Sequence, residues 1–394
     1  MPAPTLASEA LLEWKRILAY WEKYTPDTQR GGFHGRVNYD NQPVLDAPRS
    51  AILTGRLLWT FSSAYRHLHK HRYLALAERA YHYLVNHFRD TQNGGIYWSV
   101  TANGAPLDTR KQLYAHSFAV YGLSEYYAAS KFKPALEYAK EIFQIMDKYG
   151  YDVQEGGYLE GFGPQWEAAD DMILTKMPYN KSQNAHLHII EAFTNLYRIW
   201  PDATLKQRLE NLLDMFEQKL VSPQTHRLRL FFDKHWTPKD ETISYGHDIE
   251  CSWLLWETAE ILKDPIRTPR IKALCIRMAE AACTGLGEDG ALDYEYDPAT
   301  GHHQRDRSWW VLAEQMVGFL NAYQLTGRSD YLDKTQRSWD FIKKYFIDRE
   351  RGDWHITVKP DLTVVKANKV DFWKCPYHNA RACYEVWHRL SSHR

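Results

Sequence analysis

Histidines supply most of the chemistry this sequence can offer. In SYGHDIE (244–250), His247 and Glu250 stand three residues apart, so a helix presents both on one face. A carboxylate so placed accepts from one imidazole nitrogen, fixes the tautomer and leaves the other nitrogen a stronger base. In NAHLH (184–188), His186 and His188 are two apart and cannot both face inward on a helix; His188 is taken as the inward one. WKCPYHN (373–379) places His378 five residues after Trp373, across a proline, Pro376, that suits the first turn of a helix. An aromatic wall beside a titratable ring suits a sugar, whose C–H face packs on the ring while its hydroxyls hydrogen-bond.

Arg56 lies mid-helix among Leu53, Leu57, Leu58 and Trp59, where an unpaired guanidinium is expensive to bury. Either an acidic partner compensates it or it faces an oxyanion in a cavity. Trp309 and Trp310 head a helix running on through Glu314, so one ring is expected to line the cavity and the other to pack outward. Glu295, in DYEYD, either reaches substrate from a rim of short strands or is an exposed loop carboxylate.

A metal held by His188, His247, Glu250 and His378 is chemically conceivable. The spacing is not local, however, and the same groups serve as proton shuttles, so no metal or other cofactor is expected. There is no GxGxxG after a strand, no GxxxxGK[ST], no GxSxG and no HExxH, which leaves dinucleotide, P-loop, α/β-hydrolase and zincin chemistries unsupported. Inverting glycoside hydrolysis needs two spaced carboxyl groups, whereas histidines outnumber carboxylates here.

The elements that must bring these residues together repeat. A glycine-marked turn leading into a short extended segment appears as RGGFHGRV (30–37), NGGIYWSV (93–100), EGGYLEGF (155–162), DGALDYEYD (289–297) and RGDWHITV (351–358). The step is about 64 residues, doubled once, and HRLRLFFD (226–233) supplies the missing strand without the glycines. Between markers, apolar residues return every three or four positions in two stretches, such as 52–68 and 73–88, or 186–200 and 203–220. With an opening helix near 8–23 and a closing one near 376–391, about twelve helices in six hairpins result. The predicted fold is all-α, a closed (α/α)6 barrel of residues 1–394 as a single domain, with short β segments at one end. The polar and aromatic clusters GRLLW (55–59), YAHSF (114–118), NAHLH, SYGHDIE, SWW (308–310) and WKCPYHN recur at equivalent places in the six units, so closure makes them converge on one cavity.

The 394 residues are 44% hydrophobic and 25% charged, ordinary for a globular protein. Forty-nine basic residues balance 49 acidic ones, so neither nucleic acid nor an anionic membrane is an expected partner. No stretch approaches the roughly 20 apolar residues that cross a bilayer, and MPAPTLASEALLEWKRI lacks the pattern of a signal peptide; a cytoplasmic monomer is expected. Cys251, Cys275, Cys283, Cys375 and Cys383 form neither a disulfide framework nor CxxC pairs.

Laid end to end, GGFHG, ILTGRLLWTFSSAYR, GGIYWSV, FAVYGLSEYY, NAHLHIIEAFTNLYR, SYGHDIECSWLL, WWVLAEQMVGFLNAY and WKCPYHNAR resemble the N-acylglucosamine 2-epimerase superfamily and, within it, the cellobiose 2-epimerases. The resemblance implies a barrel that epimerises C2 of the reducing-end glucose in β-1,4-linked disaccharides without metal or nucleotide. It assigns proton transfer to His247 and His378, support of His247 to Glu250, the third essential histidine to His188 and the arginine to Arg56. Sugar contacts fall on Tyr114, Asn184, Trp310, Trp373 and Glu295. Leu312, Gln183 and Ala185 depart from the family pattern, which touches sugar preference rather than the acid–base set.

Overall fold

The computed structural model describes residues 3–169, 173 and 177–391. Twelve α-helices follow in chain order: α1 (Ala3–Tyr24), α2 (Ala51–Leu68), α3 (His71–Tyr83), α4 (Leu113–Ser130), α5 (Lys133–Gly150) and α6 (Gln183–Ile199), then α7 (Ala203–Met215), α8 (Tyr245–Leu262), α9 (Arg267–Ala282), α10 (Trp309–Thr326), α11 (Ser329–Phe341) and α12 (Tyr377–Ser391). Their sequences sort them into two layers. Every residue of α4 from Leu113 to Tyr126, and of α10 from Trp309 to Ala322, is buried, as befits helices enclosed on all sides. By contrast α5 buries one stripe, Ala135, Leu136, Tyr138, Ala139, Ile142, Phe143 and Met146, and turns polar residues to solvent.

The even-numbered helices pack in the cycle α2, α4, α6, α8, α10, α12 and back to α2, while each odd-numbered helix backs one of them, α1 covering α12. This is the (α/α)6 barrel. Gly55 and Gly122 let α2 and α4 approach closely; a Cβ on Gly55 would stand 2.6 Å from the Phe118 carbonyl oxygen.

Each unit has a turn closed by a β-bridge, Pro26 with Phe33, Arg89 with Ile96, Tyr151 with Tyr158, Val221 with Leu228, Leu286 with Leu292 and Ile347 with Trp354. The fourth turn, whose glycine is missing from the sequence pattern, has His226 at φ 56°, the left-handed conformation that glycine supplies elsewhere. A two-residue strand precedes α2, α4, α6, α8 and α10 and pairs antiparallel with the extended segment of the next unit, as Lys111–Gln112 does with Gly161–Phe162. Before α12 the corresponding pairing is Val370 with Val37, returning the sixth unit to the first. A buried cation in this strand anchors the turn: Arg49 on Asp27, Lys111 on Asp90, Lys181 on Asp152 and Lys369 on Asp348, at 2.6–2.8 Å. The strands thus hold the N-termini of all the inner helices at one mouth of the barrel.

Candidate active site

That mouth encloses a cavity of about 490 Å³. Counting from the N-caps Ser50, Gln112, Ser182, Ser244 and Ser308, the sixth residue onward is Arg56, Phe118, His188, Glu250 and Glu314, so one turn of each inner helix contributes to one layer. Arg381 belongs to the second turn of α12. Nine of the ten residues singled out in the sequence line the cavity: Arg56, Tyr114, Asn184, His188, His247, Glu250, Trp310, Trp373 and His378. Glu295 does not. It lies on the strand Glu295–Asp297 paired with Ser244, and burial together with the nearby Asp240 raises its carboxyl to about 6; its neighbour Tyr294 meets the Trp310 ring instead, at 6.1 Å.

The rings form a wall. Trp310 packs 4.7 Å from His247 and 5.7 Å from His378, while Tyr114 packs 5.0 Å from His188 and 6.0 Å from Trp373. Both Trp309 and Trp310 border the cavity, where one inward and one outward ring was expected; both are buried at the start of α10.

Hydrogen bonding redraws the expected pairing of His247. Its Nδ1 meets Ser244 Oγ at 2.8 Å, not Glu250. Glu250 Oε1 is taken by Arg381 Nη2 at 3.0 Å, because a buried guanidinium outcompetes a neutral imidazole for a buried carboxylate. The carboxylates that do orient histidines are Glu314, whose Oε1 lies 2.6 Å from His378 Nδ1, and Glu191, whose Oε2 lies 2.9 Å from His188 Nδ1. An ionised carboxylate only accepts, so both rings carry the proton on Nδ1 and leave Nε2 basic. The neighbouring His186 is structural: Nδ1 donates to Ser182 O and Nε2 accepts from Tyr158 N–H.

Glu191, Glu314, Arg381 and Ser244 were not singled out as chemical residues in the sequence. The spacing of six from the helix caps is the signal that finds the first two; nothing local marks Arg381.

Arg56 has no carboxylate partner among the described residues. Nη2 donates to Tyr114 Oη at 2.9 Å, Nη1 to Trp373 O at 3.2 Å, and the guanidinium lies over Phe118 at 4.2 Å. Its Nε, together with Asn184 Oδ1, Glu250 Oε2 and Trp309 Nε1, is buried without a partner among the described residues. Four such atoms in residues around one cavity carry an uncompensated desolvation cost, which marks the layer as built for more than packing.

The N-acylglucosamine 2-epimerase family model matches residues 31–382. The chain belongs to this family. Among its relatives, the cellobiose 2-epimerase of Bacteroides fragilis is 42% identical over 94% of this chain and 95% of its own, and that of Dictyoglomus turgidum 36% identical over 95% and 96%. The solved cellobiose 2-epimerase of Bacillus thermoamylovorans superposes with a TM-score of 0.94 at 39% identity, covering 98% of this chain and all of the other. A D-mannose isomerase shares the fold, with a TM-score of 0.88 at 20% identity. The chain is thus a carbohydrate epimerase, an isomerase.

The electrostatics of this epimerase cavity favour neutral imidazoles. Burial lowers His247 to about 3, with the nearby His188 adding to the effect, although part of the ring still meets the cavity. Burial likewise lowers His188, against the pull of Glu191, and holds His378 well below the usual histidine range, with Arg56 and Arg381 contributing. Burial raises Glu250 well above the ordinary carboxyl value, the charge on Glu314 adds to this, and the protonated form is favoured. For Glu191 burial alone would act upward, but Arg381, His188 and Tyr377 hold the carboxylate low. Neutral imidazoles, two of them with a carboxylate-fixed tautomer, and a guanidinium without a carboxylate partner among the described residues can abstract a carbon-bound proton and stabilise the oxyanion that results.

Glu250, Glu314 and His378 each bring a ligand atom within 4.8 Å of the others, a smaller set than the four residues considered from the sequence. Arg381 Nη2 already bridges the two carboxylates, at 3.0 and 2.7 Å, and supplies the positive charge there.

Proposed function

We propose that this enzyme epimerises C2 of the reducing-end glucose of β-1,4-linked disaccharides, turning cellobiose into glucosyl-mannose and lactose into epilactose. The observation that carries the reading is the union of two proton-transfer imidazoles, His247 and His378, with the carboxylate-free Arg56 around one ring-walled cavity. The similarity to cellobiose 2-epimerases over nearly the whole chain supports the substrate class.

The sugar binds as a closed pyranose between Trp310 and Trp373, with Tyr114 and Asn184 holding hydroxyls. His378 assists ring opening: the proton leaves O1–H, the C1–O5 bond breaks, O5 gains a proton and C1 becomes an aldehyde. The aldehyde acidifies C2–H. One of His247 and His378 removes that proton, and the electron pair moves through C1–C2 onto O1 to give a cis-enediolate. Arg56 and His188 stabilise the charged oxygen. The other imidazole returns a proton to the opposite face of C2, or the intermediate turns before reprotonation, and the ring closes with no net redox change. Glu295, beside the lining residue Tyr294 on the rim strand, is assigned no proton-transfer step in this route. In the same reading residues 1–394 act as one catalytic domain, a monomer inside the cell with a sugar as its partner.

The test is incubation in D₂O with cellobiose, mannose and N-acetylglucosamine, followed by sugar chromatography and mass analysis. Cellobiose should yield glucosyl-mannose carrying one deuterium at C2. Turnover of mannose alone overturns the disaccharide assignment, and an unlabelled product overturns reprotonation by a second, solvent-exchanged imidazole. His247→Ala and His378→Ala should lose nearly all turnover while remaining folded.

A further inference from the structure

His188 and His378 stand on different helices, yet the carboxylates that orient them meet at one guanidinium. Arg381 Nη1 donates to Glu191 Oε1 and Tyr377 Oη, while Nη2 donates to Glu314 Oε1 at 2.7 Å and Glu250 Oε1 at 3.0 Å. The side chain is 1% exposed, and its charge lies 4.0 Å from the Tyr377 ring and 4.7 Å from that of Trp253. Trp253 Nε1 donates to Glu314 Oε2 at 3.0 Å, so both oxygens of that carboxylate are held.

We propose that Arg381 is a positioning residue for proton transfer: it clamps Glu191 and Glu314, locks His188 and His378 into one unit, and leaves Glu250 as the proton-bearing acid of the three. The turnover part rests on the epimerase reading above.

The planar fork explains why arginine stands here. Its two terminal nitrogens reach carboxylates on α6, α8 and α10 from α12, whereas a lysine offers one point charge. The groups that face it are Tyr121 on α4, Glu191 on α6, Glu250 on α8, Glu314 on α10, and Tyr377 and His378 on α12, with Arg56 on α2 the other buried cation of the layer. Glu250 and Glu314 share Nη2, and two carboxylates on one donor do not both ionise without cost. Glu314 is committed at both oxygens, while Glu250 Oε2 has no partner among the described residues. The shared proton therefore belongs on Glu250, at the oxygen that neither Arg381 nor any other described residue engages. The charge of Arg381 also helps keep His188 and His378 neutral.

The test compares Arg381→Lys and Arg381→Met by steady-state kinetics and by nitrogen-15 histidine spectra of the free enzyme, which report tautomer and titration. In Arg381→Lys, kcat should fall about 10- to 100-fold with KM within about twofold, and His188 and His378 should lose their single Nδ1–H tautomer. In Arg381→Met, kcat should fall further and both rings should titrate about one pH unit or more higher. Wild-type kcat in Arg381→Lys overturns the proposal, as does Arg381→Met with both rings titrating as in wild type. Should Arg381→Met not fold, Arg381→Lys decides through kcat and tautomer. The spectra need no substrate, so a wild-type enzyme inactive on cellobiose would overturn the substrate assignment without touching this test.

Discussion

His378 Nδ1 donates to the carboxylate of Glu314 whereas among the described residues His247 Nδ1 meets only Ser244 Oγ, so losing the orienting group should cost the two rings differently. A charge-assisted bond is about twice as strong as a neutral one, and an amide in place of the carboxylate also admits the wrong tautomer. Glu314→Gln is expected to lower kcat about 10³-fold or more, and Ser244→Ala only about fivefold, the equivalent of about 1 kcal/mol. Equal losses by steady-state kinetics would sink the asymmetry. The pH profile follows from the same burial: a base whose folded pKa is depressed stays neutral, and so competent, to lower pH. With His247 at about 3 and His378 well below its ordinary range, kcat/KM should remain flat from about pH 7.5 past the free-histidine value of about 6.5. An acid limb centred near 6.5 would show the essential imidazoles to be unperturbed. The sequence made the histidines and Arg56 legible because polar groups in apolar helical stretches stand out. It misdirected Glu250, since a spacing of three says that two side chains share a face and nothing about a third partner arriving from α12. Arg381 itself follows Asn379 and Ala380 with no local pattern to mark it.

At the scale of elements, the glycine turns and the inner helices are joined by a side-chain latch that the histidine count alone conceals. His116 and His186, each four residues past its helix cap, donate from Nδ1 to the cap carbonyl and accept on Nε2 the backbone N–H just after the turn, Ile96 and Tyr158 respectively. In the fifth unit Gln315 does similar work, its Oε1 accepting from Leu292 N–H and its Nε2 donating to Gly290 O. Glutamine can therefore stand in for the latch histidine, and His186→Gln isolates its proton. Burial lowers His186 to about 4, so below about pH 6.5 the unfolded chain binds a proton that the folded chain refuses, and wild-type stability falls as pH drops from 6.5 toward 4. The variant lacks this loss. Its stability deficit relative to wild type, from urea unfolding, should shrink by about 3 kcal/mol between pH 7 and pH 4, and a pH-independent deficit would contradict the neutral buried ring. Helix periodicity made the hairpins readable, because each outer helix needs one apolar stripe. The continuation of α3, α7 and α11 into five-residue π turns, at 84–88, 216–220 and 342–346, was not readable, since the periodic pattern runs through them unbroken.

For the whole molecule, closure is what turns distant stretches of chain into one site, and closure depends on the chain's two ends. His378 and Arg381 belong to the last helix, α12, whose outer side is covered by the first, α1. Trp14 sits at that seam, 1% exposed, with its ring 5.3 Å from Tyr384 and 5.9 Å from Trp387. Trp354 Nε1 donates to Glu13 and Trp21 Nε1 to Asp353, tying α1 to the sixth turn as well. The repeat of about 64 residues made the ring legible; the seam was not, because α1 precedes the first glycine marker and no periodicity says which helix it covers. If residues 1–394 fold as one unit, loosening the seam must weaken everything rather than release a terminal helix. Trp14→Ala is expected to cost about 3–5 kcal/mol, the usual toll for emptying a buried tryptophan site. Helix loss by far-ultraviolet circular dichroism and ring-packing loss in the near ultraviolet should shift together to lower denaturant, with a single transition in each. Two separated transitions, with activity surviving the first, would mean that α1 frays alone and that α12 holds His378 and Arg381 in place without it.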